Sequence, residues 1–370
     1  MNGAVEAPVG GPIYTAAIIG LGRIGSLLDD PWADRHIRDE SWRARPCTHA
    51  GQFAAHPRIR LVAGADPDPQ RRGAFAERWG LTAYGDHREM LERERPDIIS
   101  VCTRAVDRYQ PTLDAIASGP RALLLEKHLS ASLAEADAIV AAGDRGRVPL
   151  VVNLTFRFAA GVKALAERVR AGAIGALQTV VCYPGALLIH SGVHFFDLCR
   201  YFGTGDARRV FGRLDGDAAA ADPPGSGYIE FDSGVRAYVD ARTRATHGYM
   251  EFHGTDGVAR VGNDAECTVF FWRVPPPAGD VDRFYQPVLQ PAVWTAPADE
   301  DGSIRRGRNI NRRCIDDVVA CLDSGRAPTA SAHDCLLAQE MAAAMHVSHA
   351  AGGRLVDLPL ADRSLRLNAI

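Results

Sequence analysis

The glycines at positions 20, 22 and 25 constrain this chain more than any other feature. They lie in "IYTAAIIGLGRIGSLL", where Tyr14 to Ile19 has the make-up of a buried strand and Ile24 to Leu28 reads as the start of a helix. G-x-G-x-x-G at a strand-to-helix turn is the phosphate fingerprint of a dinucleotide site. The first glycine allows the tight turn, the second lets backbone approach a pyrophosphate, and the third lets helix and strand pack closely. The helix amino end then offers N–H groups and a favourable dipole to the phosphates. Alone, the spacing also fits a glycine-rich turn of an unrelated protein, so the flanking sequence has to decide.

A second strand, "IRLVAGAD", ends at Asp66. An acid at that strand tip can accept hydrogen bonds from the adenosine ribose hydroxyls, which favours NAD over NADP. A turn-forming Asp ahead of Pro67 is the other reading. The acid comes 41 residues after Gly25, where about 20 is usual. The excess, residues 30–57, is charged and holds two Trp. It reads as a helical insertion, a substrate lid or an interface arm. Strands and helices then alternate: "AFAERWG" and "DHREMLERERP" as helices, "DIISVCT" as a strand, "RYQPTLDAIASG" as a helix, "ALLLE" as a strand, "LAEADAIVAAGDRG" as a helix and "VPLVVNLTFRF" as a strand. Such alternation predicts a mostly parallel sheet covered on both faces. Ligands of such sheets sit beyond the carboxyl ends of the strands, which is where "ALLLEKH" delivers Glu126, Lys127 and His128.

From residue 151 the pattern changes. "VKALAERVRAGAIG" has helical spacing and a glycine stop. "LQTVVCYP", "RRVFGRL", "GSGYIEFDSGVRAYVDART", "YMEFHGTDGVARVG" and "CTVFFWR" alternate apolar and polar residues around tight turns, as in an antiparallel sheet with one covered face. The stretch from "PPPAGDVDRF" to "DEDGSIRRGRN" is loop-like, and two helices and a short strand close the chain. Between the first helix and the sheet, "LLIHSGVHFFDLCRYFG" sets His190, His194 and Asp197 at i, i+4 and i+7. They share a face if the helix starts before His190, whereas Gly192 permits a later start that leaves His190 in a loop. Acid–base work, a divalent metal and a plain packed helix all remain open on spacing alone.

A chain of 370 residues is long enough for two domains with their own cores. A net charge of −3 points away from a general nucleic-acid or anionic-membrane binder. Eight scattered Cys without a CxxC pair fit reduced thiols in a cytoplasm. Residues 1–12 read as a loose tail, and no stretch suggests a signal peptide or membrane span.

"GLGRIG", "LVAGADPDPQRRGAFAERWG", "LLLEKH", "VKALAERVRAGAIGALQTV" and "GVHFFDLCRYF", in this order and spacing, resemble the glucose–fructose oxidoreductase, inositol dehydrogenase and MocA-like (Gfo/Idh/MocA) family from about residue 13 onward. The resemblance implies an α/β fold. A dinucleotide-binding Rossmann domain would span 13–150. A substrate-binding and oligomerisation domain with a large, open, predominantly antiparallel sheet would span 151–370, its terminal helices packing back on the first domain. It implies that Lys127 touches nicotinamide and substrate oxygen, that His194 exchanges the hydroxyl proton, and that Glu126 supports Lys127. It implies Asp197, His190, Arg157 and His128 on the substrate side. Gly20, Gly22, Arg23, Ile24, Gly25, Asp66, Thr103, Arg104, Arg108, Glu126 and Lys127 fall on the cofactor side. NAD is the expected cofactor with NADP as second option, and no metal is expected.

Three departures stand out. His128 replaces the family's Pro, which leaves the loop less fixed or adds an imidazole near the cofactor. His190 takes a position often held by Asp, four before His194. "CTRAVDRY" puts Arg104, Ala105 and Arg108 where Pro, Asn and His are usual, basic groups that suit an anionic substrate or a 2′-phosphate. The expected activity is hydride transfer between nicotinamide and a secondary alcohol of a sugar, cyclitol or related polyol, in a cytoplasmic homodimer or homotetramer. An epimerase, lyase or glycosidase using transient oxidation stays open, as does a non-catalytic dinucleotide or sugar-binding regulator.

Overall fold

A computed structural model describes residues 11–29, 46–185, 187–215, 222–242, 248–262, 267–273, 288–292 and 310–367; for 267–273, 288–292 and 310 it describes the backbone alone. The chain divides into two compact units. The first comprises Met1–Glu126, Ala138–Asn153 and Asn311–Ser331, and the second Lys127–Asp137, Leu154–Ile310 and Ala332–Ile370.

In the first unit the elements run β1 (Tyr14–Ile19), α1 (His49–Ala55), β2 (Ile59–Ala65), α2 (Pro69–Trp79), β3 (Thr82–Tyr84), α3 (His87–Glu94), β4 (Ile98–Val101), α4 (Ala105–Ala117), β5 (Ala122–Leu125), α5 (Leu133–Gly146, which begins in the second unit) and β6 (Leu150–Val152). The strands form one parallel sheet in the order β3-β2-β1-β4-β5-β6. That is the doubly wound dinucleotide-binding order, which reverses between β1 and β4. Both faces are covered, so β4 and β5 are buried at every residue. Local signals fix the helix ends. The Asp68 side chain accepts from the amides of Gln70 and Arg71 at the start of α2, and Gly80 ends that helix with φ of +64°.

Two expectations need correction. Ile24 to Leu28 is no helix: it forms turns and a short 3₁₀ segment, Leu27–Asp29. The helix is interrupted rather than lost. The His49 N–H donates to the Ile24 carbonyl at 3.0 Å and the Ala50 N–H to Gly25 at 3.0 Å, the bonds that residues 28 and 29 of a continuous helix would make. The Asp29 carboxylate joins the two ends, accepting from the Cys47 N–H at 2.7 Å, the Thr48 N–H at 3.1 Å and the Thr48 hydroxyl. The expected insertion therefore leaves from one point of a helix and re-enters it; its residues 30–45 lie outside the described residues. Secondly, "VPLVVNLTFRF" is a strand only at β6, and Thr155–Phe158 is a 3₁₀ turn. A continuous apolar run carries no period that separates the two.

The second unit contains α6 (Ala160–Arg170), β7 (Leu177–Tyr183), α7 (Gly192–Tyr201), β8 (Ala207–Leu214), β9 (Gly225–Phe231), β10 (Arg236–Asp240), β11 (Tyr249–Gly254), β12 (Gly257–Gly262), β13 (Cys267–Arg273) and β14 (Val288–Ala292). After α8 (Ile310–Ser324), nearly all of which belongs to the first unit, come α9 (Ala332–Ala350) and β15 (Val356–Asp357). The sheet order is β14-β13-β12-β11-β7-β10-β9-β8-β15. Every pairing is antiparallel except β7 with β10. α6 packs on β12 and β13, and α9 on β8. Alternate residues of β11 are fully buried while their neighbours are half-buried, the signature of a sheet with one covered face. β14 lies inside the stretch read as loop; most of that stretch is outside the described residues.

Candidate active site

The glycine turn of the first unit has room where a dinucleotide needs it. Gly20 has φ of +95°, and a Cβ there would lie 2.8 Å from the Thr103 nitrogen. A Cβ on Gly25 would lie 2.1 Å from the Gly20 carbonyl oxygen, so this position must stay bare for the turn to close. At Gly22 a Cβ would meet only Arg71 Nη1, at 3.7 Å. The space over Gly22 is open apart from that guanidinium. Beyond the end of β4, Thr103 Oγ1 is buried and has no hydrogen-bond partner among the described residues, and an orphaned buried hydroxyl at a strand tip is a ready contact for a bound molecule. The residues present therefore fit NAD.

Asp66 follows β2 and is 4% exposed. Its carboxylate accepts from the Leu21 N–H at 2.8 Å and the Asp68 N–H at 2.9 Å, with Arg71 Nη1 3.5 Å away. It thus ties the glycine turn to the tip of β2. Arg23 is exposed, and Ile24 packs against Leu28 and Cys47. Arg104, before α4, is exposed and pairs with Asp107 at 3.0 Å. Arg108 is buried, and its guanidinium donates to the carbonyls of Glu126, at 2.8 Å, and Thr103. Of the two basic departures, only Arg104 faces solvent.

Glu126, just past β5, anchors a buried polar network that sequence reasoning missed. One carboxylate oxygen accepts from Asn153 Nδ2 at 2.7 Å and lies 3.1 Å from His49 Nε2. The other His49 nitrogen lies 2.7 Å from Ser100 Oγ, while Asn153 also donates to Asn311 at 3.0 Å. His49 is 0% exposed. Burial alone would push its pKa down, but Cys102 and Glu126 outweigh it and raise the imidazole to about 10. His49 and Glu126 form a buried ion pair across 77 residues of sequence, a separation that carries no local signal.

In the second unit, Lys127 Nζ donates to the His190 carbonyl at 2.8 Å and lies 3.4 Å from His190 Nδ1. His190 occupies an exposed turn, because α7 starts only at Gly192. The later of the two start points is the real one, and His190 is off the helix. Asp222 holds this turn from behind, accepting from the Ile189 and His190 N–H groups at 2.8 Å each. Burial raises the Asp222 pKa, opposed by these donors and by the charge of Lys127. His128 is 3% exposed, a buried rather than a surface histidine, and the Lys127–His128 peptide is cis.

His194 sits in the first turn of α7, 8% exposed, with its ring edge-on to Phe156 at 5.5 Å. Asp197, one turn on, commits both oxygens to Arg157: Nε donates at 2.7 Å and Nη2 at 2.6 Å. Arg157 Nη2 also lies 3.2 Å from Asp334, which Arg200 shares at 3.2 Å. Burial pushes the Asp197 carboxyl up to about 6, with Arg157 opposing and Asp334 adding to the rise. A cavity of about 280 Å³ beside the pair is lined by Arg157, Arg170, Arg200, Tyr201, Gly205 and Asp334. Among the described residues no group of His, Cys, Asp or Glu is arranged to hold a metal ion. No helix among them is long and apolar enough to cross a membrane. An ammonium beside a reacting hydroxyl can stabilise an alkoxide, and an imidazole can exchange a proton with it.

Known proteins resemble this chain in sequence and in fold. The family model described as "Oxidoreductase family, NAD-binding Rossmann fold" matches residues 14–154, and the Gfo/Idh/MocA C-terminal domain model matches 133–260. D-apiose dehydrogenase of Paraburkholderia graminis is 27% identical over 80% of this chain and 83% of its own. Myo-inositol 2-dehydrogenase of Thermotoga maritima is 25% identical over 68% of this chain and 76% of its own. The solved structure of an Agrobacterium radiobacter oxidoreductase in complex with NAD⁺, L-tartaric acid and magnesium has the same fold. Its TM-score is 0.71 at 18% identity, over 93% of this chain and 98% of the other. With both domain models in sequence and the doubly wound sheet followed by the open mixed sheet, the chain belongs to the Gfo/Idh/MocA family of oxidoreductases.

Proposed function

We propose that the protein is an NAD-dependent dehydrogenase that moves hydride between the nicotinamide and a secondary alcohol of a sugar, cyclitol or related polyol. The observation that carries this reading is Lys127, its ammonium held on the His190 carbonyl in the turn that leads into the His194 helix. Curated relatives named for D-apiose and myo-inositol support a polyhydroxylated substrate. When bound, NAD supplies the hydride acceptor or donor. Gly20, Gly22, Arg23, Ile24, Gly25 and Thr103 would hold it, with Asp66 favouring the ribose diol of NAD over the phosphate of NADP.

In this reading His194 accepts the hydroxyl proton and Lys127 stabilises the developing alkoxide. A well-placed donor to such charge contributes about a hundredfold in rate. Glu126 sets the backbone ahead of Lys127, and His190 and His128 line the substrate side. Arg157 and Asp197 brace the helix that carries His194. The uncovered face of the second sheet, with Tyr238 50% exposed, serves as the contact of a homodimer or homotetramer. The location is cytoplasmic, in keeping with the free thiols among the described residues.

The test is NADH absorbance on addition of a polyol panel that includes D-apiose and myo-inositol. Net NADH formation is expected from the wild type, with Lys127→Met slower by about a hundredfold or more while still binding NAD. Ligand binding without turnover across the panel would overturn the reading, as would full activity in Lys127→Met.

A further inference from the structure

We propose that Asp222 is a positioning residue for Lys127, acting through the backbone of residues 189 and 190. The inference rests on the reading of Lys127 as the catalytic ammonium. The Asp222 carboxylate accepts from two consecutive amides, Ile189 and His190, at 2.8 Å each. Two bonds to neighbouring N–H groups fix a turn in translation and rotation, as a single bond would not. The carbonyl of the same His190 then receives Lys127 Nζ at 2.8 Å. The turn is short and exposed at His190, and the helix that follows starts only at Gly192. The helix start reaches the turn through the Val193 N–H, which donates to the Ile189 carbonyl at 3.2 Å, and the carboxylate adds the two bonds that orient the 189–190 amides. A lysine has four rotatable bonds and is pinned only by what receives its ammonium. The charge of Lys127 reaches Asp222 as well, opposing the rise that burial gives its carboxyl. Neither sequence distance nor motif connects Asp222 with the "EKH" stretch; the link exists only through the turn.

The composition gives a direct readout. Lys127 and Lys163 are the two lysines of the 370 residues. Lys163 is exposed on α6 and serves as an internal reference for reductive methylation followed by peptide mass spectrometry. In Asp222→Asn and Asp222→Ala, methylation of Lys127 relative to Lys163 is expected to rise by about fivefold to tenfold, the range set by losing an anchoring hydrogen bond. NADH binding, read by fluorescence titration, is expected to be unchanged. With a substrate in hand, kcat falls more than KM rises, and the Asp222 change costs nothing further in a Lys127→Met background. A plain stabilising role would leave the labelling ratio unmoved and the two losses additive, and either result overturns the proposal. Should both variants fail to fold, hydrogen exchange of the Ile189 and His190 amides in the wild type decides. Protection is expected, and exchange at the rate of exposed amides would sink the idea. A wild type inactive on every polyol counts against the dehydrogenase reading alone, since the labelling ratio is independent of turnover.

Discussion

Arg157 and Asp197 meet through two parallel hydrogen bonds of 2.7 and 2.6 Å, with both side chains buried. Both were expected on the substrate side, with Asp197 as a supporting or substrate-contacting group; the structure shows them bonded to each other. The pair joins the 3₁₀ turn Thr155–Phe158 to the middle of α7, one turn beyond His194. Removing one member leaves the other charge buried. Arg157→Ala is therefore expected to cost about 3–5 kcal/mol in urea unfolding. Asp197→Ala should cost less, because Arg157 keeps Asp334 at 3.2 Å. Equal losses from the two variants would count against this account of the pair.

The glycine turn separates a folding role from a binding role. Gly25→Ala would place a Cβ 2.1 Å from the Gly20 carbonyl oxygen and is expected to destabilise by about 3 kcal/mol. Gly22→Ala meets only Arg71, at 3.7 Å, and should unfold within about 0.5 kcal/mol of wild type. Its NADH affinity, measured by fluorescence titration, should still fall by about tenfold or more, since the methyl enters the space left for the pyrophosphate.

Cofactor choice is predicted to rest on Asp66. In Asp66→Ser, Arg71 keeps Asp68 at 3.4 Å from its Nε but loses the carboxylate 3.5 Å from its Nη1, which becomes available to a 2′-phosphate. The ratio of NADPH to NADH dissociation constants is expected to fall by about tenfold. An unchanged ratio would remove Asp66 as the residue that selects the cofactor.

Buried His49, raised against its burial by Cys102 and Glu126, makes stability depend on pH. The imidazole titrates near 6.5 when unfolded and is raised to about 10 when folded. Its contribution is fully present below pH 6.5 and is lost as the pH climbs through the folded value. Wild-type stability is expected to drop over that window by an amount on the order of 5 kcal/mol. His49→Gln should be less stable at neutral pH and flat over the same range. A wild-type curve as flat as that of the variant would show that His49 is not the titrating group.

The sequence by itself determined most strands and helices of the first unit, though neither β3 nor the break after Gly25, together with the dinucleotide turn and the change to antiparallel hairpins after residue 151. Each of these rests on near neighbours: glycine spacing, period-two alternation, capping residues and an acid or base at the end of an apolar run. Only the tertiary structure decided where the helix after Gly25 resumes, because the two halves of its hydrogen-bond ladder lie on either side of the 30–45 stretch. The same holds for the partners of Glu126, which come from His49 and Asn153. It holds for Asp197, which meets Arg157 rather than solvent, and for Asp222, which pins the turn that receives Lys127. Hydrogen bonds and ion pairs between side chains depend on distance in space. A linear pattern records them only where chain neighbours are also spatial neighbours, and in these four places they are not.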